Sequence, residues 1–535
     1  MSNRHVPLAL AQVAPTEEIG HHLPTLGPVG RLVLLIAFAF TVMADPISSV
    51  AYAIEAALRA LGGNLALLLP TMALVIVVIG IVTLNYHQLV ARFPDGGGSA
   101  AATGAAFGEA WAFLPIGALV VDFVLTIAIS VAAGASAIVA YFPELAPLRV
   151  VAALGLLVLV GGLTWFGHGG RTVFAVLTLA FVGTGIALLV SGVLPTPHGG
   201  ATGLTLQGHT TSGWASVLAV ALAFPVAMAL ATGVEAPSSA IAQLGQLDQR
   251  GRKLFGQVTL WLTLLIVGGL TLGLTALAVR LGVGIPPRNS TQIAEVARVA
   301  GSPLLFALFQ LTTTLLLLSA ASSSFQAGPG LLKALARHPG TANQGPTGML
   351  PVWMGRTNRH YTPYWGVLLY LLIAAAVVVA VDAQDQELVL FYAVAVFVSF
   401  LLGLLSMVQF ARRERRPLSL AVNLLGTLVV SVTLVMNLLR GWPLLSLVAA
   451  GVVAGALWML WVRAGRPRGI SMAVQQAEAG DEEALLLSEL QDETDHDEGA
   501  LGSEQIQQDQ ASGTHASQAG QQEQREASPR GEREA

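Results

Sequence analysis

Asp45, Asp122 and Glu235 are the residues of this chain best placed to do chemistry, because each is a carboxyl group set inside a long apolar run. A charged carboxylate at the centre of a bilayer costs about 2.5 to 3.5 kcal/mol on insertion scales unless it is paired or hydrated. No lysine or arginine lies inside the neighbouring apolar runs to pair with Asp45 or Glu235. A bound cation or a proton has to supply the missing charge, since a low-dielectric setting favours the neutral form of a carboxyl. Asp122, Thr126 and Ser130 follow at i, i+4 and i+8, which puts a carboxylate and two hydroxyls on one helical face. Such hydroxyls have an alternative use, bonding to a neighbouring helix or back to a carbonyl of their own.

Two of the acids sit in matching segments, Asp45-Pro46-Ile47-Ser48-Ser49 and Glu235-Ala236-Pro237-Ser238-Ser239. A proline deletes a backbone donor and clashes with the preceding turn, so both helices are expected to open at Pro46 and Pro237, with Ser48, Ser49 and Ser238 beside the freed groups. Unpaired backbone at membrane depth is tolerated only where it lines a cavity or is buried in protein. Two such breaks, one at the start of each five-helix half, are the mark of inverted repeats with a solute site between them.

The elements that must position these residues are membrane helices. Of 535 residues, 54% are hydrophobic and 11% charged, which cannot make a water-facing surface. The apolar stretches, each long enough to cross a hydrocarbon core, predict about twelve spans between residues 31 and 463. They fall near 31–60, 65–90, 111–141, 149–167, 172–194, 214–243, 257–282, 298–328, 364–381, 387–410, 418–438 and 442–463. Loops on one side carry Arg92, Arg250, Arg252, Lys253, Arg412 and Arg413, whereas the other side has Arg59, Arg149, Arg280, Arg288, Arg298 and Arg440. That bias places both termini in the cytoplasm. Residues 1–30 read as a cytoplasmic segment without the layout of a secretory signal. Residues 464–535 read as an acidic, Gln- and Ser-rich cytoplasmic tail, expected to be disordered. With 0 cysteines there are no disulfides or thiolate sites to consider.

Phe93-Pro94-Asp95-Gly96-Gly97-Gly98-Ser99 reads alone as a flexible turn. Together with the broken spans it resembles the loop after the second helix in permeases of the amino acid, polyamine and organocation (APC) superfamily. The resemblance covers roughly residues 30–463. It implies an all-α integral membrane protein with a LeuT-like five-plus-five inverted repeat and discontinuous helices 1 and 6. Ser48-Ser49-Val50-Ala51-Tyr52-Ala53-Ile54-Glu55 further resembles the first helix of KimA-type potassium–proton symporters. By that likeness Asp45, Tyr52, Thr126, Ser130, Thr232 and Tyr392 hold the cation, with Asp45, Thr126 and Thr232 as potassium ligands and Glu235 or Asp122 carrying the coupling proton. Thr232-Gly233-Val234-Glu235 and Phe391-Tyr392-Ala393-Val394 carry the match in helices 6 and 10. The chain departs from that pattern at Phe123, Pro46 and Pro237, and in its polar tail where a folded cytoplasmic domain would stand. The implied protein is a monomer or homodimer of a prokaryotic plasma membrane, with no resident cofactor and no nucleic-acid partner, moving potassium and protons through the bilayer.

An amino acid or polyamine permease on the same scaffold is the alternative. Ala44-Asp45-Pro46 in place of a Gly-rich stretch would repel a substrate carboxylate but could receive an amine. An ATP-driven pump is disfavoured, because neither Lys253 nor Lys333 sits in a phosphate-cradling loop. A channel is disfavoured by the lack of a Thr-Val-Gly-Tyr-Gly filter segment. No recognisable catalytic motif surrounds either acid, so the chain is not expected to be an enzyme.

Overall fold

The computed structural model describes residues 28–167, 171–193, 213–245, 247–337, 348–440, 443–467 and 470. Residues 1–27 and 471–535, which hold almost all of the two predicted terminal segments, lie outside the described residues. Among the described residues the elements are helices joined by turns and loops, and an isolated bridge pairs Ala336 with Leu350.

The first predicted span is divided into α1 (Pro28–Val42), α2 (Ala44–Ser48) and α3 (Val50–Ala60). It begins at Pro28 rather than at residue 31. Then follow α4 (Leu65–Arg92), α5 (Gly98–Phe107), α6 (Glu109–Tyr141), α7 (Arg149–Trp165) and α8 (Arg171–Val193). The sixth span comprises α9 (Trp214–Ala227), a 3-10 turn (Met228–Ala231) and α10 (Ala236–Ala240). The second half continues with α11 (Gln249–Leu281), α12 (Gln292–Ala300), α13 (Pro303–Leu335), α14 (Tyr364–Ala380), α15 (Asp385–Arg413), α16 (Pro417–Leu438) and α17 (Leu444–Arg463). Ten helical stretches among the described residues are long and apolar enough to cross a bilayer, and the shorter apolar helices Val29–Val42 and Tyr364–Ala380 stand where the first and ninth spans were expected.

Local chemistry sets the ends. The Asn64 side chain caps α4 by accepting from Ala66 N, Asp248 caps α11 through Gly251 N, and Ser302 caps α13 through Leu305 N. Gly282 closes α11 with φ +67°, the left-handed conformation that ends many helices. Helices α6 and α13 lie against one another at the centre. The most apolar stretch of α6 is 78% buried inside the protein, against 22% for α16, so α6 is scaffold and α16 is rim. Small residues let the helices approach: a Cβ on Gly117 of α6 would stand 2.7 Å from the Ala450 carbonyl and the Ala454 side chain of α17. Large apolar side chains such as Val77, Val158, Leu265 and Leu428 face outward, as lipid contact requires.

Two elements were not predicted. The glycine run is not a flexible turn; it enters α5 through three consecutive positive φ values at Gly96, Gly97 and Gly98. A Cβ on Gly98 would lie 2.9 Å from Ser239 Oγ, so this corner is a seat for α10. The loop between α11 and α13 contains α12, a helix of 9 residues of which 8 are buried.

Candidate functional site

The expectation that both spans open at their prolines is corrected by the backbone. In span 1, Met43 (φ −71°, ψ −11°) and Ser49 (φ −65°, ψ −22°) stay right-handed helical, and Ile47 N still donates to Met43 O at 2.9 Å. Pro46 removes one donor, and the span is divided at Met43 and Ser49 although its backbone angles stay right-handed. The hydroxyls of Ser48 and Ser49 donate to the carbonyls three residues back, Asp45 O and Pro46 O, both at 2.6 Å. In span 6 the chain does open, but upstream of the proline. Thr232 is extended (φ −64°, ψ 141°) and Gly233 has φ +76°. Pro237 lies in the first turn of α10, where its missing N–H is not needed. Ser238 there donates to Glu235 O at 2.7 Å.

The two breaks touch. A Cβ on Gly233 would stand 2.9 Å from Asp45 Cγ and Oδ2 and 2.9 Å from Pro46 Cδ, so only glycine lets the carboxyl rest on this backbone. Ser49 Oγ also donates to Leu230 O at 3.2 Å, tying the start of α3 to the turn that ends α9. Tyr52, on the next turn of α3, lies beside the hydroxyls of Thr232 and Ser48.

A cavity of about 310 Å³ runs from this contact to one end of the molecule. Asp45, Asp122, Gly233 and Glu235 line its inner part, and Gly167, His360, Tyr361 and Thr362 lie among the residues of its mouth. Asp45 Oδ1, Asp122 Oδ1 and Glu235 Oε2 are buried without hydrogen-bond partners. No ion pair joins any of the three acids to a basic side chain among the described residues. Buried polar atoms are nearly always satisfied in proteins, so three orphaned carboxyl oxygens around one cavity are what a positively charged ligand or bound protons would relieve.

The other predicted residues sit deeper. Thr126 and Ser130 are buried on α6 beyond Asp122 and do not line the cavity, and Ser130 Oγ has no partner. Thr232 is buried and donates to Ala229 O at 2.9 Å. Tyr392 belongs to α15, and its side chain lies outside the described residues. Phe123 lines the cavity with its ring, where a tyrosine would have added an oxygen. The sequence reading missed Thr41, Ser323, Ser324 and Gln326, which also line it. Ser322-Ser323-Ser324 inside an apolar span was the signal that could have found part of this wall.

A family model described as "Amino acid permease" matches residues 32–462. The chain belongs to the amino acid permease family. This permease is a multi-pass integral membrane protein. It is 27% identical over 376 residues to "Potassium transporter KimA" of Bacillus subtilis (strain 168), a match that covers 67% of this chain and 58% of the relative's length. The permease thus spans little more than half of that relative. Among solved structures it overlaps a mutant of the Eremococcus coleocola manganese transporter with a TM-score of 0.45 at 13% identity, covering 83% of this chain and 96% of that one. The same transporter in complex with an aromatic bis-isothiourea substituted compound gives 0.41 at 12% identity over the same shares.

Proposed function

We propose that this permease is a proton-coupled importer of a monovalent cation, potassium, working by alternating access. The observation that carries the reading is the Asp45–Gly233 contact at the head of a cavity whose three carboxyl groups have no basic partner among the described residues. Asp45 supplies the main charge. Hydroxyls and carbonyls of the two interrupted spans replace the hydration shell, and cavity size with the number of oxygens sets discrimination from sodium. Glu235 or Asp122 carries the coupling proton. The likeness to a potassium transporter supports this choice of solute. Spans 1 and 6 head the two halves of an inverted repeat and rock against the remaining helices. The positive-inside assignment turns the cavity mouth, at the loops that hold Gly167 and His360, toward the cytoplasm, so the state described is inward-facing.

A second reading has an observation of its own. The cavity's 310 Å³ exceeds the needs of a bare ion and reaches the range of small-molecule sites, about 300–1,000 Å³. An amine-bearing amino acid or polyamine would place its charge on Asp45 and its carbon chain against Phe123, Phe174 and Phe325, which line the same wall.

The test is rubidium uptake into proteoliposomes under an inward proton gradient. Saturable uptake that falls when the gradient is collapsed supports the cation reading. Absence of cation flux from folded protein, with accumulation of amino acids or polyamines in the same vesicles, transfers the site to the second reading.

A further inference from the structure

A second group of buried polar side chains reaches toward Glu235 without entering the solute cavity. Tyr86 of α4, Ser99 and Thr103 of α5, and Ser399 and Ser406 of α15 are all buried, and none of them lines the cavity. Tyr86 Oη lies beside the Ser399 hydroxyl without closing a hydrogen bond, and the acid that acts on it through space is Glu235, whose own Oε2 is unpartnered. Ser399 Oγ and Ser99 Oγ are 2.6 Å apart, and either can be the donor. Thr103, one turn later on α5, donates to Ser99 O at 2.7 Å, and Ser406 Oγ donates to Thr103 Oγ1 at 3.4 Å. One turn beyond, Ala106 O accepts from Arg413 Nη2 at 3.4 Å. Arg413 ends α15 and, by the positive-inside assignment, marks the cytoplasmic side. The hydroxyls therefore run in order from the acid toward the cytoplasm, apart from the cavity.

The glycine corner sets this line in place. A Cβ on Gly98 would stand 3.2 Å from Ser238 Oγ, the hydroxyl that donates to Glu235 O, so the first turn of α5 meets the start of α10. A Cβ on Gly403 would stand 3.4 Å from Ser99 Cβ, so α15 presses on α5 where the two serines meet.

Anchoring one helix to another is the ordinary use of such hydroxyls. Two observations point further. The hydroxyls of Thr71, Thr263 and Thr433 donate to the carbonyl four residues back, which fixes their hydrogens. Ser99 and Ser399 bond to each other instead, and their hydrogens can reverse together. An anchor would also satisfy the groups at the head of the line, whereas Tyr86 and Glu235 each keep an unpartnered oxygen there.

We propose that Tyr86, Ser399 and Ser99 form a proton relay that discharges Glu235 to the cytoplasm, so that proton and solute leave by different routes. The proposal rests on the proton-coupled reading above and assigns the coupling proton to Glu235 rather than Asp122. Each hydroxyl takes up one proton and passes on its own. The Glu235 carboxyl gives its proton to Tyr86 Oη, the phenol proton moves to Ser399 Oγ, and the Ser399 proton moves to Ser99 Oγ. The Ser99 proton goes on along the Thr103 and Ser406 hydroxyls to cytoplasmic water. Glu235 is left as a carboxylate, one proton has moved, and no hydroxyl keeps a charge.

The test separates net uptake from exchange, with the full chain in proteoliposomes, radioactive rubidium as the probe and a pH dye inside. Net uptake under an inward proton gradient requires Glu235 to release a proton in every cycle. Exchange of rubidium at equal pH and equal rubidium on both sides does not. Tyr86→Phe removes one oxygen and keeps the ring packed edge-on against Phe400. It is expected to slow net uptake and the accompanying acidification by about 100-fold, the lower end of what a positioned proton-transfer group contributes. Its exchange is expected to stay within about twofold of the natural chain, a difference of about 0.4 kcal/mol. Ser99→Ala combined with Ser399→Ala is expected to behave the same way, and Ser399→Thr, which restores a hydroxyl, to recover most of the net uptake. Deuterated water is expected to slow net uptake by the natural chain more than exchange. Thr275→Val removes a buried, unpartnered hydroxyl from α11, a helix outside the relay, and is expected to change neither rate. Near-natural net uptake in Tyr86→Phe or in the double serine variant would overturn the relay. An equal loss of net uptake and exchange, the mark of a purely structural role, would overturn it too. Rubidium uptake by the natural chain that ignores the proton gradient would remove the coupled reading and the relay together, whereas a contrary result in the variants alone leaves that reading standing.

Discussion

In span 1 the chain keeps a right-handed helical backbone through Met43 and Ser49, whereas in span 6 it leaves that conformation at Thr232 and Gly233. Both segments carry an acid, a proline and two serines, so composition does not explain the difference. Glycine does. Span 6 has a residue without a Cβ where the carboxyl of span 1 must approach, and span 1 has no counterpart. One span carries its carboxyl on a divided but still right-handed backbone, and the other supplies the opened backbone on which that carboxyl rests. The proline in each segment is accommodated, at Pro46 by hydroxyls that bond back to nearby carbonyls and at Pro237 by starting a new helix.

Four substitutions sharpen or break this contrast. Asp45→Asn keeps the shape of the contact and removes the charge; rubidium uptake is expected to fall by on the order of 100-fold, about 2.7 kcal/mol in barrier or binding. Near-normal uptake would remove span 1 as the source of charge. Gly233→Ala drives a methyl into Asp45 and Pro46 in a conformation unfavourable to any side chain, a strain of about 1–3 kcal/mol. A lower apparent melting temperature and roughly tenfold slower uptake are expected, the latter equal to about 1.4 kcal/mol. Ser49→Ala deletes the hydroxyl shared by Pro46 O and Leu230 O and is expected to cost about 1 kcal/mol by thermal unfolding. Pro46→Ala restores a donor to a helix that is already formed. Uptake within about twofold of the natural chain is expected, a difference of about 0.4 kcal/mol. A collapse there would mean that span 1 also works by opening.

The sequence marked the three acids because a carboxyl inside an apolar run is conspicuous whatever the fold, and all three line one cavity. It also located the spans, since bilayer thickness imposes a length that composition reveals. The point of opening was misassigned. Proline is a local signal for a missing donor, but whether the helix unwinds depends on what packs against it, and the approach of Asp45 to Gly233 joins residues far apart in the chain. Helix α12 was hidden for a related reason: its short pattern mixes Gln292, Glu295 and Arg298 with apolar residues and becomes a buried helix through Glu55 and Ala140, which lie in other spans. The glycine run looked mobile because its partners, Ser239 and Ala242, come from span 6.

The unpartnered oxygens of Asp45, Asp122 and Glu235 have a consequence for handling the purified protein. Anything that binds the folded state but not the unfolded one raises stability by RT ln(1 + [L]/Kd), about 2.7 kcal/mol at a concentration of 100 Kd. A site with charges left to satisfy therefore turns the melting temperature into a reporter. Scanning chloride salts of the alkali metals against amines and amino acids, with no vesicles and no gradient, would rank solutes by the heat the protein withstands.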